Sequence, residues 1–195
     1  MLRIFSEKCT WILLKNDVIQ DNQRGIYIYG FELFWSTSLC IASILSWGTL
    51  FGYLSSAAIF LLFFMPIRMA AGGYHAKSYG ACFVLTNCIA LLCVFASKWL
   101  WHVNESWVAF SLWLALFFSF VYIWKKAPIN LGKHSTDTSR ILKNRKYAHF
   151  IIIIELILTV VMQTIVNSYI PYTSIIATCA VALMIYVAKR EEVKG

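Results

Sequence analysis

Charge is what this sequence has least of. Only 13% of its 195 residues are Asp, Glu, Lys or Arg, and only nine are acidic, whereas soluble domains carry roughly 25% charged residues. The 60% that are hydrophobic exceed what a soluble chain of this length can bury without a sticky surface. That excludes an ordinary water-soluble domain and points to a bilayer. No CxxC pair or Cys/His ligand spacing is present among the six cysteines, so neither a metal site nor a cofactor is expected. Cys40, Cys88, Cys93 and Cys179 fall inside apolar runs, where a thiol is a small buried hydrophobe. No internal repeat is visible. The N-terminal segment is interrupted by charges at Arg3, Glu7, Lys8 and Lys15, which argues against the apolar core of a cleaved leader. The formal net charge of +8 lies between apolar spans, so it reads as a topology signal rather than a nucleic-acid surface.

What is present is long apolar runs. From Leu33 to Ile67 no charged residue occurs, and 35 residues are too many for one span of ~20. Two helices over about 33–50 and 54–69, turning near Gly52, fit this run. Further spans are expected at about 79–97, 106–124, 148–167 and 171–188, the last two separated by Asn167, Ser168 and Pro171. Before them, Leu2, Phe5, Cys9 and Ile12 recur at helical spacing within residues 1–30, predicting an amphipathic helix lying at the membrane interface. Lys and Arg alternate in density from one connection to the next: sixteen lie on one side of a six-span arrangement and one, Lys98, on the other. The positive-inside rule then places both termini in the cytoplasm. The expected fold is all-α: a polytopic membrane protein of about six transmembrane helices plus the interfacial helix, forming a single domain over residues 1–195. Four spans with two re-entrant or interfacial segments remain an alternative, because polar groups crowd residues 68–80.

The most unusual stretch runs from Arg68 to Cys82 and reads RMAAGGYHAKSYGAC. It combines one His, one Cys, three glycines, and a positive charge on each side of the Gly72–Gly73 pair. A cysteine nucleophile needs a base to form thiolate and a local field to stabilise it; His75 could be the base and Cys82 the nucleophile. On an unbroken helix seven residues separate them by roughly 10 Å, too far for a hydrogen bond of about 3 Å. The chemistry therefore requires a break at Gly72 and Gly73, with Ser78 capping a new helix and Cys82 in its first turn, where the helix N-terminus favours thiolate. By spacing alone an incidental His and a buried Cys in a short cytoplasmic loop explain the segment better than catalysis does.

Other candidates are fewer. His102 falls on the opposite side, His134 lies in a basic loop, and His149 begins the fifth span, as a second base or an interfacial anchor. Glu155 is the one acid inside a span and, as an intramembrane ionisable group, is a candidate for orienting His75 or contacting substrate; a structural role is as well supported. Glu32 and Asp137 are further candidate partners of His75. Asn87 suits an interhelical hydrogen bond better than an oxyanion. The loop 125–147 holds seven basic residues, among them Lys125, Lys126 and Lys133. It orients the chain, and it would attract an acidic peptide segment or anionic lipid.

At these residues the chain resembles the accessory gene regulator protein B (AgrB) family of Gram-positive quorum-sensing systems. The resemblance rests on Arg68, on Ala71-Gly72-Gly73-Tyr74-His75-Ala76-Lys77, on Cys82, and on a basic loop opened by Lys126-Ala127-Pro128. It implies a membrane cysteine endopeptidase that cuts the acidic C-terminal tail from a short signal-peptide precursor. The core is held as a thioester and released as a cyclic thiolactone or lactone. The matching positions are Cys82 as nucleophile and His75 as general base, with Arg68, Gly72, Gly73, Lys77, Lys125, Lys126, Lys133 and Glu155 as supporting or substrate-binding residues. The implied partners are the precursor peptide, membrane lipid and a second copy of the chain, with no nucleic acid. Rival readings are a small-peptide transporter, which would use Glu155 and six spans, and a non-catalytic adaptor docking through the basic loop.

Overall fold

The computed structural model describes residues 2–71, 78–103, 105–129 and 138–194, without side chains at 138–141 and 191–194. Among these residues the chain forms seven α-helices and no strand: α1 (Leu2–Lys15), α2 (Arg24–Leu50), α3 (Leu54–Ala71), α4 (Tyr79–Val103), α5 (Ser106–Lys126), α6 (Thr138–Ile165) and α7 (Ile170–Lys194). Six segments, lying in α2 to α7, are long and apolar enough to cross a membrane. Helices are the expected answer, since hydrocarbon offers no partner for a backbone N–H or C=O left outside its own ladder.

The turn between α2 and α3 falls where the sequence places it. Gly52 adopts a positive φ of 74°, a conformation that disfavours any residue with a Cβ. A Cβ at Gly48 would lie 2.7 Å from the Ala57 Cβ, so the absent side chain is what lets the two helices close tightly. Near this turn the Lys98 Nζ donates to the Tyr53 hydroxyl at 2.7 Å, which gives that ammonium a partner at this end of the bundle.

Four boundaries differ from expectation, one being the end of α4, which runs on to Val103 rather than stopping near residue 97. α2 begins at Arg24 rather than near residue 33, α6 begins at Thr138 rather than near 148, and α7 runs on to Lys194. The physical reason is shared: charge marks where an apolar environment ends, whereas a helix propagates past that point because each added residue gains a hydrogen bond. The basic segment 125–147 is consequently not a plain loop. Lys125 and Lys126 end α5, and Arg140, Lys143, Arg145 and Lys146 lie on the first turns of α6.

α7 is the central helix, packing against α3, α4, α5 and α6. Ile175, Val181 and Ile185 on α7 and Phe60, Phe63, Phe64 and Ile67 on α3 are fully or almost fully buried. Polar bonds cross the same interfaces. Ser97 and Thr173 hydroxyls meet at 2.8 Å, and Thr159 and Ser174 at 3.1 Å. In lipid such small hydroxyl residues permit close approach and satisfy one another. α1 packs on α2 through a face that includes Ser6 and Thr10, both buried. Their hydroxyls donate back to the carbonyls of Leu2 and Ser6. Phe5 and Ile12 of the expected apolar stripe point outward instead, with Ile4 and Trp11, which is the surface an interfacial helix presents to lipid.

Candidate active site

The site forms where α3 ends and α4 begins. Ser78 caps α4 as expected: its Oγ accepts from the Ala81 N–H at 3.2 Å, and its carbonyl accepts from the Cys82 N–H at 3.0 Å. Cys82 is thereby the fourth residue of α4, within reach of the positive end of the helix dipole. Ser78 itself is a bend, so no unbroken helix joins Tyr74 to Cys82. His75, Gly72, Gly73 and Lys77, like Lys133, His134 and Asp137, lie outside the described residues.

The structure brings Arg68 to Cys82. Arg68 occupies the last turn of α3, and its Nη2 lies 3.0 Å from the Cys82 Sγ. Its Nη1 donates to the Thr86 Oγ1 at 2.8 Å. The Thr86 hydroxyl in turn donates to the Cys82 carbonyl at 2.9 Å, so its proton is committed and its lone pair faces the guanidinium. The Arg68 group also rests 5.5 Å from the Phe64 ring centroid. One cation is thus fixed by a hydroxyl and a ring while it touches sulfur. A planar fork holds such a pose better than an ammonium would, and a hydrogen bond to an ionised acceptor is about twice as strong as to a neutral one.

Thr86 is the residue the sequence did not reveal. It stands one turn beyond Cys82, on the same face of α4, and that spacing was the available signal. Tyr79 was also missed: its hydroxyl donates to the Glu32 Oε2 at 3.2 Å, which ties α2 to the start of α4. Nothing local could have foretold the bond from the Ile129 N–H to the Ala71 carbonyl, 2.9 Å long. It fastens the chain just after the α5 lysines to the last residue of α3, immediately before Gly72.

The remaining candidates are placed elsewhere. Asn87 accepts from Ser43 at 3.0 Å and donates to the Phe83 carbonyl at 2.9 Å, the interhelical use expected of it. His149 stacks on Trp124 with centroids 3.8 Å apart, and its Nε2 lies 3.0 Å from the Trp124 carbonyl, which makes it an anchor between α5 and α6. Glu155 is 5% exposed, and its carboxyl oxygens have no hydrogen-bond partner among the described residues. It sits about 9 Å further along α6 than His149 and makes no bond with Arg68 or Cys82.

No curated protein and no solved structure matches the chain. The family comparison does match, over residues 6–187, to Accessory gene regulator B. That span takes in α2 to α6, most of α1 and α7, and the whole Arg68–Cys82 segment. This multi-pass membrane protein therefore belongs to the accessory gene regulator B family, a peptide-processing family that acts in autoinducer maturation.

Proposed function

We propose that the protein is a membrane cysteine endopeptidase and cyclase acting on a short signal-peptide precursor. The observation that carries this is the Arg68 Nη2 to Cys82 Sγ contact of 3.0 Å at the capped start of α4. In the proposed reaction His75 takes the Cys82 proton. The thiolate attacks the carbonyl of the bond joining the signal core to its acidic tail. As the tetrahedral intermediate collapses, the imidazolium returns that proton to the leaving amine, and the core stays as a thioester on Cys82. A thiol or hydroxyl within the core then gives its proton to His75 and attacks the thioester carbonyl, the Cys82 thiolate departs and takes that proton back from the imidazolium, and a thiolactone or lactone is released. Thioester exchange needs no ATP, and an internal nucleophile held at a water-poor membrane edge outcompetes water through its effective molarity.

The basic end of the bundle, which carries this site, faces the cytoplasm of a Gram-positive bacterium in this reading, with both termini on that side. Its field draws in an acidic tail. An amphipathic precursor would share the membrane surface with α1, raising its local concentration. The test is tail release from a labelled precursor by the full chain in lipid. Wild type should release the tail, and Cys82→Ala and His75→Ala should not. A core adduct trapped on Cys82 identifies the nucleophile. Release that survives in either variant, or peptide transport without cleavage, overturns the proposal.

A further inference from the structure

Away from the site, α5 and α7 leave an open groove of about 530 Å³ on the outer surface of the bundle. Its walls are almost wholly apolar and include Phe118, Tyr122, Leu183 and Tyr186. Phe118 and Leu183 are 62% and 65% exposed. One end differs: Lys125 and Lys126, the last residues of α5, line the groove there. Neither ammonium has an ion pair or hydrogen bond among the described residues, and no acid lines the groove.

The shape matches one class of molecule. From Ala115 to Lys126 the groove follows α5 over about 16 Å, close to the hydrocarbon depth of one leaflet, half of ~30 Å. Paired cations at the headgroup end and a greasy channel of leaflet length complement an anionic headgroup with its acyl chain. An apolar helix would leave both lysines unanswered, and an acidic peptide tail would leave the apolar channel unfilled. We propose that this groove is a binding site for an anionic phospholipid of the surrounding leaflet, with Lys125 and Lys126 on its phosphate and an acyl chain between α5 and α7. Because Ile129 is bonded to Ala71, such a lipid would brace the chain that leads from α5 to the end of α3. The assignment is independent of the peptidase reading.

The test uses the full chain with a photo-cross-linking benzoylphenylalanine in place of Leu183, in nanodiscs of equimolar phosphatidylglycerol and phosphatidylcholine, with adducts identified by mass. Phosphatidylglycerol should be captured over phosphatidylcholine by about thirtyfold, as two lysines near the surface require. The preference should vanish in Lys125→Gln/Lys126→Gln and persist in Lys143→Gln/Lys146→Gln, which removes equal charge outside the groove. Equal capture of the two lipids in the otherwise unchanged chain overturns the proposal whatever the variants do. So does equal loss in both charge variants. A main adduct with a second copy, or with added precursor peptide, overturns it as well.

Discussion

Replacing Arg68 with Gln removes a charge 3.0 Å from the Cys82 sulfur while keeping a polar side chain. Two unit charges about 4 Å apart interact by about 4 kcal/mol at an effective dielectric of 20. Arg68 and Cys82 are both half-buried, so water screens part of that, and the range for a hydrogen bond to a charged group, about 1.5–3 kcal/mol, is the better guide. At about 1.4 kcal/mol per factor of ten, the reactivity of the Cys82 sulfur should fall about ten- to a hundred-fold. Two readouts separate this from loss of fold. Alkylation of Cys82 by a small iodoacetamide, with the other five cysteines replaced, reports the sulfur alone; precursor tail release reports the whole reaction. Both should drop together, with the thermal midpoint in detergent nearly unchanged. Arg68→Lys should recover only part of the loss, because one ammonium cannot hold the sulfur and the Thr86 hydroxyl in the same plane. Alkylation within twofold of wild type in Arg68→Gln would show that the contact does not activate the thiol.

Other substitutions probe the supports. Ser78→Ala removes the cap of α4 and should cost about 1 kcal/mol locally, seen as faster amide exchange at Ala81 and Cys82; unchanged exchange refutes the capping role. Gly48→Ala drives a Cβ to 2.7 Å from that of Ala57 and should destabilise the chain by about 1–3 kcal/mol. Adding Ala57→Gly should restore the midpoint, and failure to do so would mean the contact is not the cause. Glu155→Leu removes buried oxygens that lack partners, each such group costing about 1–3 kcal/mol, so its midpoint should rise while tail release persists. A fall in both would assign Glu155 a partner in catalysis.

Much of the architecture was legible because lipid imposes few rules. The uncharged run from Leu33 to Ile67 had to become a hairpin, and the lopsided lysines and arginines predicted its partners. Gly52 and Ser78 were legible as local chemistry: one residue suits positive φ, the other accepts an amide proton at a helix start. Helix ends were less so, as Arg24 and Thr138 show, because the charge pattern reports solvent rather than hydrogen bonding. The Arg68 to Cys82 contact was half legible. Both residues stood out, but their pairing depends on how α3 and α4 cross, and no spacing within either helix encodes that. Glu155 was conspicuous in the sequence for being an acid among isoleucines, yet its carboxyl oxygens bond neither Arg68 nor Cys82.

What makes the site coherent is the demand Arg68 creates. A half-buried guanidinium at the edge of hydrocarbon is expensive unless anions or strong acceptors meet it. Thr86 supplies one acceptor, and its proton is already given to the Cys82 carbonyl. A neutral thiol is a weak acceptor, so the sulfur answers the arginine far better as thiolate. In the proposed reaction the energy needed to keep a cation in this position is recovered in part when His75 takes the Cys82 proton. When the sulfur enters a thioester that negative charge disappears, and with it the attraction between thiolate and guanidinium. The contact thus disfavours the acyl intermediate and favours the leaving thiolate. On this argument Arg68 should speed both formation of the nucleophile and its expulsion in the ring-closing step, so Arg68→Gln should accumulate acyl-enzyme relative to cyclic product. An unchanged ratio of the two would confine the arginine to the first step.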